Sequence, residues 1–291
     1  MTSLVKAWKD AQLRLKAAQV DSPAIDARLL LEAAAGVTRL DVISDPYREI
    51  PDAAVETLNG YLERRARREP VARILGRKGF WKIMLKVSPD VLTPRPDTEV
   101  VVDMALRAFP EGMAFSMLDI GVGSGAILLA ILAERPAAKG LGTDVSEEAL
   151  AVAKDNAASL DLGGRAAFLR TSWADGLEDA GFDLVVSNPP YIRSAEIETL
   201  EPEVRDHEPR LALDGGPDGL EAYRILAPEI LRVLKPGGVF AVETGWDQAQ
   251  QVKALFDAAG ADQTVVVKDL GDRERVVTGV KNPLGKAAAT R

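Results

Sequence analysis

A strand-like run that ends in two prolines is the part of this sequence best suited to chemistry. Residues 182–187 are short, mostly apolar and rich in valine, which predicts a buried parallel strand. Asn188, Pro189, Pro190 and Tyr191 follow it directly. Neither proline can donate a strand hydrogen bond, and Pro189 biases Asn188 towards an extended conformation. The sequence therefore predicts a stiff shelf at the carboxyl end of a strand, the edge at which open α/β sheets bind ligands.

The shelf suits the alkylation of a weakly nucleophilic nitrogen, such as the NH2 group of an amide or an aromatic amine. Its lone pair is delocalised, and acceptors on both N–H bonds can turn that lone pair towards an incoming methyl group. The Asn188 side-chain oxygen and the Pro189 carbonyl are candidate acceptors, and the Tyr191 ring is a candidate to sandwich the flat group. Catalysis of this kind rests on positioning, with the reacting atoms about 3–3.5 Å apart. The alternative is that Asn-Pro-Pro is only a turn that ends a strand.

A glycine-rich loop, residues 119–125, lies between a predicted strand and a predicted helix. Glycines allow a tight turn and a close approach to a ligand. The spacing is G-x-G-x-G and not the G-x-G-x-x-G of nucleotide-binding dehydrogenases, which is the main ground for excluding that class. Asp119 and Ser124 form the walls of the loop. An acidic wall repels a pyrophosphate and attracts an ammonium group, and S-adenosylmethionine has an ammonium group and no phosphate.

Two further residues follow predicted strands and are placed to contact the same cofactor. Asp144 ends the second strand, where a carboxylate can accept both ribose hydroxyls. Trp173 comes after the third strand, in the region that covers an adenine ring, although a tryptophan is more often part of a core. The alternative for the loop itself is a Rossmann turn in which Asp119 only caps the helix.

Composition restricts the functional classes. The 291 residues contain 36 lysines and arginines against 44 acidic residues, a net charge of −8, which disfavours a general binder of phosphate backbones. There is no cysteine and a single histidine, His207, so disulfides and a zinc cluster are excluded and no metal site is expected. His207 lies in a charged stretch and is expected to be solvated. Neither a signal peptide nor an apolar run long enough for a membrane is expected.

The first seventy residues have the periodicity of helices. Pro23 begins one helix and Gly36 ends it, and another runs from about Pro51. The basic cluster 64–68 is predicted to be a solvated helix end or, alternatively, a docking face for a partner. Residues 80–87 have strand-like content and predict a hairpin. Asp97 is predicted to cap a helix that carries Val100 to Ala108.

Beyond Phe115, strands and helices alternate, which predicts a doubly wound, Rossmann-like α/β sheet. A helix over 222–234 is expected to end at Pro236 and its following glycines, and the last two strands are close enough in sequence to pair antiparallel. The predicted strands are Met117–Ile120, Gly140–Thr143, Ala166–Leu169, Phe182–Ser187, Val239–Glu243, Thr264–Lys268 and Arg275–Val280.

With these motifs in view, the chain resembles the peptide chain release factor N5-glutamine methyltransferase family. The likeness covers nearly the whole chain and is clearest from Glu69 onward. Asn-Pro-Pro-Tyr alone is shared with adenine and other amino methyltransferases, whereas the Pro-Arg-Pro and Glu-Pro-Arg-Leu-Ala-Leu segments make the match specific. The matching segments are Glu69–Val71, Ile74–Gly76, Phe80–Trp81, Val91–Glu99, the glycine loop, Ser187–Ile192 and Glu208–Gly219.

The resemblance implies an S-adenosylmethionine-dependent methyltransferase fold that methylates the amide nitrogen of the glutamine in the GGQ motif of release factors. Two departures, Thr93 for an isoleucine and Val122 for a threonine, remove no required group. The implied cofactor contacts are Gly121, Val122, Gly123, Ser124, Gly125, Asp144, Trp173 and Asn188. The implied substrate contacts are Asn188, Pro189, Pro190 and Tyr191, with Asn188, Pro189 and Tyr191 as the catalytic set.

The resemblance also implies a division of the chain into parts. These are a helical substrate-docking domain over 1–75, a β-hairpin linker over 76–92, a methyltransferase domain over 93–281 and a disordered tail over 282–291. A cytoplasmic monomer with a protein substrate, no direct nucleic acid contact and no membrane contact is expected. Two alternatives stay open: an adenine or guanine amino methyltransferase that acts on nucleic acid, and a non-catalytic module in which the cofactor is structural.

Overall fold

The computed structural model describes residues 2–282. Within them the chain forms two compact units, each with its own apolar core. The first contains the residues up to Arg77 together with Glu201–His207, and the second contains Lys78–Leu200 and the chain from Glu208 onward. Of the predicted tail, 282–291, only residue 282 is described, and residues 283–291 lie outside the described part of the chain.

The first unit is helical. Pro23 is the first residue of its second helix, and Gly36 ends that helix in a left-handed conformation with φ 63°, as the sequence predicts. The short third helix was not predicted, although Thr38 and Asp41 form a capping box at its start. Two-residue strands β1 (Thr2–Ser3) and β2 (Glu49–Ile50) pair antiparallel. The chain returns to this unit with residues Glu201–His207, called the returning segment below. The helices are α1 (Leu4–Ala17), α2 (Pro23–Ala35), α3 (Arg39–Ser44), α4 (Asp52–Ala66), α5 (Val71–Leu75) and, in the returning segment, α9 (Pro202–Arg205).

The basic cluster at the end of α4 is occupied by ion pairs within its own unit. Arg65 is buried, with a side chain only 7% exposed, and Glu203 of the returning segment bridges it to Arg68. Because the charges of Arg64, Arg65 and Arg68 are neutralised at short range, these three arginines do not form a free basic patch for phosphate. The pairs are Arg64 with Glu69 (2.5 Å), Arg65 with Asp26 (2.7 Å) and Glu203 (2.9 Å), and Arg68 with Glu203 (2.7 Å).

The second unit is built around a seven-stranded sheet. Its order is β10-β11-β9-β8-β5-β6-β7. The strands from β5 to β9 run parallel, and β11 lies antiparallel between β9 and β10, which confirms the predicted doubly wound sheet. The strands are β5 (Ser116–Ile120), β6 (Lys139–Asp144), β7 (Ala166–Arg170), β8 (Phe182–Ser187), β9 (Leu234–Glu243), β10 (Ala261–Lys268) and β11 (Glu274–Lys281), after a hairpin of β3 (Arg77–Phe80) and β4 (Ile83–Lys86).

Helices cover both faces of this sheet, and each face has its own core. One core includes Val101, Leu128 and Leu150, and the other includes Tyr223 and Phe256. Among the described residues, no helix has the length and apolar character needed to cross a membrane. The helices are α6 (Glu99–Ala108), α7 (Ala126–Glu134), α8 (Glu147–Ser159), α10 (Glu221–Val233) and α11 (Ala249–Ala259).

Two local predictions were wrong. Asp97 does not cap α6: a short 3-10 turn, Pro96–Thr98, precedes that helix, and no side chain caps it. The Asp97 carboxylate instead pairs with Arg275 at 3.0 Å, a partner almost two hundred residues away that no local pattern reveals. Strand β9 also begins earlier than Val239, at Leu234, because a shift of register opposite β8 accommodates Pro236 within the strand.

Candidate active site

A cavity of about 630 Å³ opens within the second unit at the carboxyl ends of β5, β6 and β8. The chain leaves β5 for β6 on one side and returns to β8 on the other, so this is the switch point at which doubly wound sheets bind ligands. Three polar residues line the cavity, each at or just beyond the end of one of these strands: Asp119, Asp144 and Asn188.

The glycine loop forms one wall of this cavity. Of the five loop residues expected to contact a cofactor, Gly121, Val122, Gly123 and Ser124 line the cavity and Gly125 is not in its described lining. Gly125 is in the left-handed region with φ 84°, and an added Cβ would lie 2.9 Å from Cδ1 of Leu129. A glycine is therefore required at position 125 for the turn into α7, and not for contact with the cavity.

Asp119 lines the cavity and has one unpaired oxygen. The side chain is buried, and its Oδ2 accepts a hydrogen bond from the backbone N–H of Leu128 at 3.0 Å, while Oδ1 is buried without a partner among the described residues. Burial raises the pKa of Asp119 to about 7; the Leu128 hydrogen bond opposes this rise and the charge of Asp144 adds to it. A ligand ammonium group would satisfy Oδ1 and stabilise the charged form.

Asp144 and Trp173 complete the same half of the cavity. The two Asp144 oxygens accept backbone N–H groups of Gly123 and Ser146, each at 3.0 Å. Each carboxylate oxygen retains a lone pair that can accept a ribose hydroxyl. Trp173 lines the cavity, and its carbonyl accepts the hydroxyl of Thr143 at 2.9 Å. This half therefore offers an ammonium acceptor, a ribose acceptor and an aromatic surface, which fits S-adenosylmethionine.

The proline shelf forms the other half. Asn188, Pro189 and Pro190 line the cavity. The Asn188 amide donates from Nδ2 to the hydroxyl of Thr98 at 3.1 Å. Because its NH2 end is used in this way, the Oδ1 end is left to accept a hydrogen bond from a substrate.

A glycine-rich segment that follows the shelf in sequence supports it from behind. Ile192 and Gly215 are joined by a backbone hydrogen bond of 2.9 Å, and Nε2 of Gln248 donates to the Tyr191 carbonyl at 2.9 Å. A Cβ on Gly215 would lie 2.8 Å from both the Pro190 carbonyl oxygen and the Tyr191 Cα. The shelf is thus packed backbone against backbone, which leaves it little freedom to shift.

Tyr191 is placed differently from the expectation that its ring sandwiches the substrate. It is absent from the described lining of the cavity and packs instead against the core around Tyr223. Its hydroxyl donates to Oε1 of Glu243 at 3.3 Å, and burial, followed by the charge of Glu243, raises the pKa of Tyr191. These contacts favour a role in supporting the shelf.

Some cavity residues were not singled out by the motif analysis. Thr98, Leu211 and Ile225 line it, and a buried Glu208 joins two of the family-like segments: it accepts the Thr93 N–H at 3.1 Å and the Arg95 guanidinium at 2.9 Å. All of these residues except Ile225 lie in two segments that match the family, 91–99 and 208–219, so the resemblance was the signal that could have found them.

His207 belongs to the first unit, and no group of residues within 2–282 is arranged to hold a metal ion.

Comparison with known proteins agrees with this geometry. A family model described as the PrmC N-terminal domain matches residues 6–76, and a methyltransferase domain model matches residues 112–278. A release factor glutamine methyltransferase from Caulobacter vibrioides is 69% identical over 98% of this chain and 99% of its own length. Another, from Rhodospirillum rubrum, is 46% identical over 94% of this chain and 83% of its own.

Among solved structures, a methyltransferase from Pyrococcus furiosus has the same fold. It aligns with a TM-score of 0.50 and 20% identity, over 68% of this chain and 88% of its own. The likeness to full-length relatives confirms the family expected from the motifs. The chain therefore belongs to the release factor glutamine methyltransferase family.

Proposed function

We propose that this chain transfers a methyl group from S-adenosylmethionine to the side-chain amide nitrogen, N5, of a glutamine in peptide chain release factors, the glutamine of the GGQ motif. One observation carries the proposal: a release factor glutamine methyltransferase matches 98% of this chain at 69% identity. The geometry supports it, because a buried carboxylate with one unpaired oxygen and a carboxamide held by Thr98 line the same cavity.

The cofactor half has residues suited to each part of S-adenosylmethionine, which when bound supplies a methyl group on a sulfonium sulfur. We assign the ammonium group to Asp119 and the ribose hydroxyls to Asp144. Gly121 to Ser124 provide a wall for close backbone approach, and Trp173 provides a surface for the adenine ring. Together these residues would hold the sulfonium methyl group of the cofactor towards the shelf.

The shelf half holds and orients the substrate carboxamide. Asn188 Oδ1 and the Pro189 carbonyl each accept a hydrogen bond from one N–H of the substrate amide. The nitrogen lone pair then points out of the plane that contains these acceptors, towards the incoming methyl group. An N-alkylated, protonated amide is strongly acidic, so its proton passes to water without a protein base.

A nucleic acid amino group is the competing substrate, since a flipped base also presents a flat NH2. The net charge of −8 and the internal pairing of Arg65 and Arg68 disfavour it. We further propose that the helical unit docks the release factor, that Pro190 and Tyr191 help to shape the substrate site, and that the enzyme acts in the cytoplasm as a monomer.

The test is to incubate the purified chain with methyl-labelled S-adenosylmethionine and one acceptor at a time. A release factor should gain one methyl group, located by tandem mass spectrometry on the glutamine side chain of its GGQ motif, and a variant with asparagine at that glutamine should gain none. Transfer RNA, ribosomal RNA and DNA should stay unlabelled. Labelling of a nucleic acid with steep salt dependence, and none of the release factor, would overturn the proposal.

A further inference from the structure

A buried glutamine contacts the proline shelf from the loop that follows β9. Gln248 is 1% exposed and directly precedes α11. Its Nε2 donates to two backbone carbonyls, that of Tyr191 at 2.9 Å and that of Gly219 at 3.3 Å. Its Oε1 accepts the backbone N–H of Gly245 at 3.2 Å. Both N–H bonds of this carboxamide and its oxygen are therefore used, and one side chain joins the shelf, the glycine-rich segment 214–219 and the end of β9.

The position of Gln248 at the start of α11 does not explain why it is a glutamine. The residue before a helix often caps it with a short polar side chain, and serine, threonine, aspartate and asparagine are preferred there. The side chain of Gln248 does not cap α11. Because a carboxamide is costly to bury unless it is hydrogen-bonded, the bonds to the other segments account for this side chain better than the helix does.

Two glycines leave room for the carboxamide. A Cβ on Gly219, which has φ 75°, would overlap Nε2 of Gln248 and lie 2.5 Å from the Tyr191 carbonyl oxygen. A Cβ on Gly245 would lie 2.5 Å from Oε1 of Gln248. Atoms that are not bonded to each other pack at larger separations than this, so a side chain at either glycine would displace the carboxamide.

The shelf needs an anchor of this kind because its prolines cannot supply one. Pro189 and Pro190 have no N–H groups, so no backbone donor holds these two residues. Before them, Ser187 is fixed in the sheet by its pairing with β5 and by a hydrogen bond of 2.7 Å from its Oγ to a carbonyl of that strand. After them, the next carbonyl is that of Tyr191, which Gln248 holds. The two anchors bracket the Pro189 carbonyl, the proposed acceptor for the substrate amide.

We propose, on the basis of the function proposed above, that Gln248 is a positioning residue that acts through the Tyr191 carbonyl. By holding that carbonyl, it limits rotation of the chain after the two prolines, whose φ angles are already fixed by their rings. The Pro189 carbonyl then keeps the direction in which it accepts a substrate N–H, which turnover requires and cofactor binding does not. Gln248 is absent from the described lining of the cavity, so it acts from behind the shelf.

A second buried carboxamide provides a matched comparison. Asn156 of α8 is 0% exposed. Its Nδ2 donates to the carbonyls of Ser124 at 2.9 Å and Lys86 at 3.1 Å, and its Oδ1 accepts the Lys86 N–H at 2.7 Å. Asn156 therefore has the same pattern of hydrogen bonds as Gln248, but it holds the glycine loop and not the shelf. Removal of either carboxamide should affect the half of the cavity that it supports.

The first test compares Gln248→Met with Asn156→Leu, each of which keeps a side chain of similar size and removes its hydrogen bonds. At saturating S-adenosylmethionine, Gln248→Met should lower turnover of release factor about 10- to 100-fold and change the Kd for S-adenosylmethionine by no more than about threefold, as expected when only a reacting group is misplaced. Asn156→Leu should show the reverse, a larger change in this Kd than in turnover. Equal losses of turnover in the two variants, or wild-type turnover by Gln248→Met, would overturn the proposal.

The second test uses Gln248→Asn, whose carboxamide is one methylene group too short to keep the Tyr191 contact. Asparagine is a favoured residue before a helix, so thermal unfolding should show this variant to be at least as stable as Gln248→Met. Its turnover should still be about 10-fold or more below wild type, and it decides the question if Gln248→Met does not fold. Wild-type turnover by Gln248→Asn would overturn the proposal. A wild-type chain that methylates no glutamine would overturn the proposed function instead.

Discussion

Two buried acids lie on the strands that flank β8, and they differ in their surroundings. Asp119 is near the end of β5 and Glu243 ends β9, both are about 1% exposed, and burial raises the pKa of each to about 7. Asp119 lines the cavity with one oxygen unpaired. Glu243 lies outside the described lining: its Oε1 accepts the Tyr191 hydroxyl, and its Oε2 is also buried without a partner among the described residues.

The difference teaches that a strongly shifted pKa at the edge of a sheet does not by itself mark contact with a ligand. Each acid has one buried oxygen without a hydrogen-bond partner among the described residues, and what separates the two is that Asp119 lines the cavity whereas Glu243 does not. The Asp119 side chain accepts a single backbone N–H, from Leu128, whereas the Glu243 side chain accepts the hydroxyl of Tyr191, which belongs to the shelf. Under the proposed function, we expect the cofactor half to contact its ligand directly and the shelf half to depend on support from behind.

The largest expected effect belongs to the shelf itself. Asn188→Ala removes the acceptor for the substrate amide, so we expect turnover to fall about 100-fold or more, because misplacement of a reacting group has costs of this size. The Kd for S-adenosylmethionine should change by no more than about threefold. Single-turnover labelling and calorimetry measure the two quantities separately. Equal losses in both would show that the halves are not functionally separate.

A smaller effect is expected in the cofactor half. Asp119→Asn replaces an acceptor for an ammonium group with a neutral amide, so the Kd for S-adenosylmethionine should rise about 10- to 100-fold, as expected for a hydrogen bond to a charged group. At saturating cofactor, turnover should stay within a few-fold of wild type. A variant with normal affinity and low turnover would assign Asp119 to the chemistry instead.

Stability should depend on pH through the two acids. Their pKa values are raised from 3.8 and 4.5 in the unfolded chain to about 7, so the folded protein holds these protons more tightly. The stability gained is fully present below about pH 4 and is lost as the pH rises through 7. For Asp119 the difference is on the order of 4 kcal/mol.

This loss can be measured by thermal or urea unfolding without cofactor between pH 5 and 7. Asp119→Asn should flatten the decline relative to wild type. Asp183→Asn is the matched control: burial acts to raise the pKa of Asp183, but hydrogen bonds from Lys235 and Ser116 lower it overall, so its contribution changes only at lower pH. A decline that is equally steep in Asp119→Asn would contradict the account.

The smallest effect tests the packing behind the shelf. Gly215→Ala would place a Cβ 2.8 Å from the Pro190 carbonyl oxygen, so we expect a loss of about 1–3 kcal/mol in the free energy of unfolding and a several-fold loss of turnover. Gly164→Ala, where a Cβ meets nothing within 4 Å, should be close to neutral in both. Matching results for the two variants would mean that the shelf is not tightly held.

The sequence alone predicted those parts of the site that are continuous in the chain. The glycine loop, Asp144 and the proline shelf were found because each follows its own strand and carries a local pattern. Glu243 could not be found this way, since only the order of the sheet brings the end of β9 beside β8. Thr98 lies in a matching segment, but no local pattern links it to Asn188, 90 residues further along the chain. The same reason explains the wrong cap at Asp97, whose partner Arg275 lies on β11.

The most direct test of the central claim is a crystal structure of the chain with S-adenosylhomocysteine and a glutamine-containing release factor peptide. We predict that the glutamine NH2 donates to Asn188 Oδ1 and to the Pro189 carbonyl at about 2.7–3.2 Å, with Asn188 Nδ2 on Thr98. An Asn188 oxygen turned to Thr98, or a glutamine bound away from the shelf, would contradict it.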